Sequence, residues 1–256
     1  MHREEFTQQL WLDFIHTHPD FGALRLWPLS TPADYLTLVT LNYGGFSAQA
    51  LSPALAHMGY RHIGHYAMAD KGLLIHLLAP ADDDGSWLVL AELQTGTLSK
   101  SLREALLGLI QQTHPQDSKG QNLLCRGRPW PMPKWALYQQ LCNEHPLAAW
   151  LAVMGPRLHH VGFDCGRLGN SLEAIDQQLL QSGLPHMEGQ QNGVFSVSNL
   201  LTHRFYPATP QKKIFDQGDE HRLCLGGLAI VQKHLDSNHE RVAELLLPVH
   251  ARCEMA

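Results

Sequence analysis

The order of elements read before residue 99 recurs after residue 157. A chain that repeats a sheet-forming unit has to pair the two copies to bury them. In the first copy, "YLTLVTLN" (35–42) is rich in β-branched and apolar residues and predicts a strand. "SAQALSPALAHMG" (47–59) predicts a helix ending at Gly59, with Pro53 best suited to a place near its first turn. Three strands follow: "RHIGHYAM" (61–68), "GLLIHLLA" (72–79) and, beyond the acidic turn "DDDG", "WLVLAEL" (87–93). In the second copy "LHHVGFD" (158–164) is the strand and "NSLEAIDQQLLQSG" (170–183) the helix. Asn170 is its expected N-cap, Glu173 takes the capping-box position and Gly183 lies past its end. "VFSVS" (194–198), "LLTHRFY" (200–206) and "RLCLGGLAIVQ" (222–232) complete it as strands, with "GDEH" (218–221) as a hairpin turn.

Between the copies, "SKSLREALLGLIQQ", "PKWALYQQLCN" and "HPLAAWLAVMG" predict helices over 99–156. Their Leu and Trp stripes read as core. Residues 4–17 predict a further helix with Phe6, Leu10, Trp11 and Phe14 on one side, followed by a loop holding Pro28 and Pro32. The expected organisation is a single α+β domain over 1–256. It comprises an N-terminal helix and loop (1–33), a first βαβββ module (34–98), a helical segment (99–157), a second module (158–235) and a C-terminal tail (236–256).

Composition removes several function classes. Hydrophobic residues make up 44% and charged ones 17%, a globular balance. With 19 Lys and Arg in 256 residues, a net charge of -5 and no basic run, a nucleic-acid partner is not expected. The stretch "MHREEFTQQLWLDFIHTHP" is acidic and amphipathic, and no long apolar run follows, so the reading is cytoplasmic with no membrane partner. Five scattered cysteines without a CxxC pair argue against a disulfide framework or a zinc finger. The 17 histidines form no HExxH and no tract. "NYGG" (42–45) is no phosphate loop, since no Lys-Ser/Thr follows.

Paired βαβββ modules are the plan of the vicinal oxygen chelate fold, a cupped sheet whose interior holds a divalent metal, and the chain resembles it. More narrowly, it resembles the 2-oxoadipate dioxygenase/decarboxylase family, also called hydroxyglutarate synthase. The resemblance is carried by "MGYRHIGHYAMADKGLLIHLLAP" (58–80), "AEL…LS" (91–99), "GRPW" (127–130) and "YQQLCNEHPLAAWLAVMGPRLHHVGF" (138–163). It implies an iron(II) enzyme, with two histidines and a glutamate as ligands, that oxidatively decarboxylates a small 2-oxo acid to a 2-hydroxy acid.

Carried onto this chain, the second-module histidine falls on His160, with His159 replacing the family's Asn. Tyr35 stands at the first-module histidine, Val39 at the substrate-binding arginine and Ala229 at the glutamate. A phenol, with a pKa near ~10, is a poor ferrous ligand at neutral pH, and alanine has no donor. Tyr35, Val39, His203 and Arg204 are the substrate-side candidates, the last two lying on a strand that lines the family's cavity. His160 is the metal candidate, with Glu92 and His76 as residues that could rebuild the site from the first module. The competing readings are a hydrogen-bonded structural Glu92 and a half-buried His76. His62 and His65, three apart on a strand, are expected on opposite faces. Trp130 of "GRPW" reads as a core side chain on a proline-rigidified turn.

Two functional classes follow. One is a family enzyme with an altered ligand set and iron(II) or another divalent metal. The other is a catalytically inactive small-molecule binder or regulatory protein on the same fold, with no metal.

Overall fold

Strand β1 (Tyr35–Leu41) is buried along its whole length, and the sheet is built outward from it. The computed structural model describes residues 1–23, 31–81, 85–184, 195–198 and 201–234; the side chains of 195–198, Leu201 and His203 are outside that description. Pro28, the "DDDG" turn at 82–84, Val194, Leu200 and the tail from 235 on also lie outside the described residues.

The chain runs α1 (Arg3–Thr17), α2 (Pro19–Ala23), β1, α3 (Ala48–His57), β2 (Arg61–Met68), β3 (Leu73–Ala79) and β4 (Trp87–Leu93). Then come α4 (Lys100–Ile110), α5 (Trp135–Glu144) and α6 (Pro146–Met154). The second half runs β5 (Arg157–Asp164), α7 (Cys165–Leu168), α8 (Leu172–Gln181), β6 (Phe195–Ser198), β7 (Leu201–Pro207), β8 (Gln211–Ile214), β9 (Glu220–Leu223) and β10 (Gly227–Lys233). Eight strands form one sheet in the order β2-β3-β4-β1-β5-β10-β7-β6, and β8 pairs with β9 in a separate hairpin. The two halves are copies in topology. β1 runs parallel to β4 as β5 does to β10, and the antiparallel β1–β5 pair joins them. The mixed α+β fold with paired βαβββ units is the expected one.

Several details differ from the sequence reading. The N-cap of α8 is Ser171, whose hydroxyl accepts the Ala174 N–H, rather than Asn170. Pro53 lies inside α3; it and Gln49, whose carbonyl loses that donor, are both exposed, which makes the loss tolerable. The single strand expected over 222–232 is broken at Gly226 (φ +131), where a Cβ would stand 2.3 Å from the His159 carbonyl oxygen. Only glycine fits there. Its first part becomes β9, and the hairpin with β8 is an addition to the second module.

Register sorts the side chains onto two faces. Thr40, Leu74, His76, Leu78, Leu90 and Glu92 share the face that carries α3 and α8, since the Ala48 N–H donates to Glu92 and the Leu172 N–H to Gln232. Tyr35, Thr37, Val39, His160, Gly162, Phe205, Gly227 and Ala229 share the other. Helix α6 is buried at every position from Leu147 to Met154, as an all-apolar helix must be. Its C-terminal carbonyls are satisfied from the "GRPW" turn: Trp130 Nε1 donates to Ala152 O (3.0 Å) and Arg128 to Val153 O (2.6 Å). Helix α1 has no side-chain N-cap; it is held by Phe6, Leu10 and Phe14, all buried, at roughly 1.5–3 kcal/mol each.

Candidate functional site

Tyr35, His160 and Ala229, the positions that the sequence resemblance aligns with metal ligands, are brought together by strand pairing. Tyr35 on β1 lies opposite Gly162 on β5, which lies opposite Ala229 on β10; one step along, Thr37, His160 and Gly227 align in the same way. The patch sits on the face away from α3 and α8. Its chemistry differs from a metal centre. The Tyr35 ring covers Gly162 so closely that a Cβ there would stand 2.0 Å from Cε1. The Phe205 ring covers Gly227 in the same way, at 2.2 Å. Both rings meet His160 edge-on, at centroid distances of 5.9 and 5.7 Å.

His160, Ala229 and Val39 present no accessible surface and Tyr35 only 1%. One imidazole, one phenol and one methyl group, wedged among rings, do not fit a ferrous ion that needs three donors and open positions for substrate. On the other side of His160, its Nδ1 lies 2.9 Å from His159 Nδ1, and His159 packs on Trp150 at 5.0 Å. One of the two adjacent imidazoles donates to the other, which sets their tautomers as a pair. His159 is accommodated by a β-bulge, where the β1–β5 register slips between Thr37 and Leu38.

Glu92 and His76 do not join this patch, which corrects the rebuilt metal site. Both lie on the α3 face, with the sheet between them and His160. Glu92 Oε1 accepts the Ala48 N–H at 2.8 Å, at the start of α3, and Oε2 accepts from Gln94 at 2.7 Å. Burial pushes its carboxyl up, but the neighbouring His76 imidazole, the Ala48 N–H and Gln94 outweigh that and hold it below the usual range. Glu92 is a structural carboxylate that completes the N-terminus of α3.

Arg204 does not face the patch either. It turns to α8, where it pairs with Asp176. Tyr206 donates to the same carboxylate at 2.8 Å; burial and that contact push its hydroxyl pKa up. Arg204 is thus committed to a structural pair on the α3–α8 face, and the His203 side chain lies outside the described ones. Val39 sits on the Tyr35 face, opposite Ala91 and Arg157. Asp34, a carboxylate the sequence reading passed over, precedes Tyr35 and is buried between Arg167 (3.5 Å) and Lys233 (3.6 Å). Its pKa is raised, by burial first.

His62 and His65 overturn a parity argument. The β2–β3 register slips between His62 and Gly64, so both histidines share the α3 face with His76. The three rings lie 5.7, 6.1 and 6.3 Å apart, centroid to centroid. Burial, then the nearness of His76 and His65, lowers the His62 pKa. Gly64 was the available signal, since an isolated glycine in a strand marks a bulge. Phe205 was also legible, one residue beyond Arg204 on the same strand and hence on the opposite face.

No family model matches the chain, and no curated protein matches it in sequence. Its fold does have close counterparts. A Shewanella frigidimarina NCIMB 400 protein catalogued under the name hydrolase superposes with a TM-score of 0.81 at 22% identity, over 92% of this chain and 94% of its own. The Oryza sativa hydroxyglutarate synthase, solved with 2-oxoadipate, gives 0.78 at 18%, over 92% and 82%. A Ralstonia eutropha JMP134 protein catalogued in the glyoxalase superfamily gives 0.72 at 18%, over 90% and 82%. At these identities the likeness is one of fold, the vicinal oxygen chelate type. Among the described residues, no helix is long and apolar enough to cross a membrane.

Proposed function

We propose that this chain is a relative of the hydroxyglutarate synthases that keeps their scaffold and has replaced their metal centre with packed aromatic core, so that it acts as a non-catalytic protein. The fold likeness to the rice enzyme over most of both chains supports the kinship. One observation carries the loss of the centre: the Tyr35 ring lies over Gly162 where a first ligand and its substrate would need space. Phe205 over Gly227 closes the other side, and Ala229 offers no donor.

Nothing in this patch can hold or move a proton for a 2-oxo acid in solution, because His160 and its neighbours are sealed from water. The residues contribute stability instead. Two rings packed edge-on against an imidazole fill the space that would otherwise be open between β1, β5 and β10. A small acid remains the ligand class that the kinship suggests for a regulatory role. Its binding place would lie elsewhere than at Tyr35, Val39 and Ala229.

The test is oxygen uptake and carbon dioxide release on adding iron(II) and 2-oxoadipate, or shorter and longer 2-oxo acids, to the purified chain. The expected result equals the protein-free control. Turnover that vanishes in His160→Ala would overturn the proposal and restore the enzymatic reading.

A further inference from the structure

We propose that His62, His65 and His76 bind a divalent transition metal ion, and we commit to zinc(II), on the α3 face of the sheet. This site is separate from the Tyr35–His160–Ala229 patch and does not depend on the family reading.

His65 and His76 face each other across the antiparallel β2–β3 pair. Side chains directly opposite in such a pair have Cβ atoms about 4.5–5.5 Å apart, a span that two imidazoles can bridge with one ion. The slip at Gly64 delivers His62 to the same side, and the three rings form a near-equilateral triangle of 5.7–6.3 Å. With metal–nitrogen bonds of about 2.0–2.1 Å, imidazole centroids around one zinc stand roughly 5–5.5 Å apart. As they stand, no three donors converge on one point among the described residues. Bringing the centroids to that spacing takes a shift of each ring of under about an ångström, and coordination also requires each ring to turn a nitrogen inward. His62 and His65 are exposed on the edge strand and have that freedom.

The surroundings favour a cation. The rings border a pocket of about 270 Å³ overhung by Gln49 and Ser52 of α3, and no Lys or Arg lines it to repel a cation. His76 is the most enclosed of the three: its Nε2 is buried without a hydrogen-bond partner, and Glu92 Oε2 lies 3.8 Å away, within ion-pair reach. Closing that gap to hydrogen-bond distance would give the carboxylate–imidazole arrangement that orients metal-bound histidines and raises their basicity. Three neutral imidazoles with water in the fourth position suit zinc in tetrahedral geometry.

Calorimetric titration of the intact, metal-stripped chain with zinc at pH 7.5 tests this. The expected outcome is one saturable site, weakened about 100-fold or more in His65→Ala and unchanged in His160→Ala. Because other surface histidines can pick up zinc, cobalt(II) is the second probe. Its intense tetrahedral absorption bands should appear with the parent chain and be absent with His65→Ala or His76→Ala. His65 is exposed, so its loss leaves the fold intact, which circular dichroism verifies. No saturable zinc site, or the same site with the same affinity in His65→Ala, overturns the proposal. Failure here leaves the reading of the Tyr35 patch untouched, and oxygen uptake with a 2-oxo acid would leave this site untouched.

Discussion

The ring of Tyr35 lies across Gly162 on the neighbouring strand, with Cε1 2.0 Å from where a β-carbon would sit. The two residues are register partners, so neither can move away without breaking the β1–β5 pair. Gly162→Ala is therefore expected to destabilise the chain by about 1–3 kcal/mol, the usual effect of overpacking. Tyr35→Ala introduced alongside should recover part of that loss, a coupling read from urea denaturation of the two single variants and the double. Strict additivity would mean that the ring is not what constrains Gly162.

If Tyr35 and Ala229 stand where relatives hold a histidine and a glutamate, the centre can be rebuilt. Tyr35→His and Ala229→Glu, with Phe205→Ala to make room beside position 229, should gain one equivalent of iron(II) under anaerobic titration. The parent should gain none, and His160→Ala should abolish the new site. All proteins in this series should carry His65→Ala, so that zinc-type binding on the other face does not add to the signal. A folded triple variant that binds no iron would refute the correspondence of positions.

The sheet was legible in the sequence because its strands are long apolar runs. β2 and β4 fall on their expected bounds, and β1 and β3 differ from theirs by one residue at an end. The repeated βαβββ order gave the topology for the same reason. Facing was harder to read. Strand parity assumes regular pairing, and it failed at His62 and His65, where one extra residue reverses every side chain before it. Glu92 and His160 were judged from separate strands with no register between them, and only the completed sheet puts them on opposite faces. The β8–β9 hairpin was legible only in part: "GDEH" marked a hairpin turn, although Glu220 and His221 belong to β9, while β8 went unread because its four residues carry no apolar period to detect.

His18 is buried between Phe14 and Phe21, only 1% exposed, and burial lowers its pKa to about 4. The unfolded chain binds a proton near pH 6.5 that the folded chain refuses until about 4. Stability from this group is thus complete above 6.5 and falls as pH drops through that window, by about 3 kcal/mol in all. His18→Leu, close in volume and without a proton to bind, should flatten the melting temperature between pH 6.5 and 4. The same slope in both proteins would assign the acid sensitivity to another group.

Glu92 predicts an effect further down the pH scale. Its carboxylate accepts from the Ala48 N–H and from Gln94, and its folded pKa is held below 4.5. A depressed carboxyl stabilises above its unfolded pKa, and the contribution fades as pH falls through the lower folded value. Glu92→Gln keeps the shape but gives up the charge at the start of α3, so it should cost about 1–3 kcal/mol at pH 7. Once the pH has fallen far enough to protonate the folded carboxyl, below its ordinary range, the two proteins should converge in denaturation midpoint. The same substitution tests the metal proposal from the other side, since a carboxylate that orients His76 should leave zinc affinity about 10-fold lower when neutralised. A loss of stability with unchanged zinc affinity would confine Glu92 to capping α3.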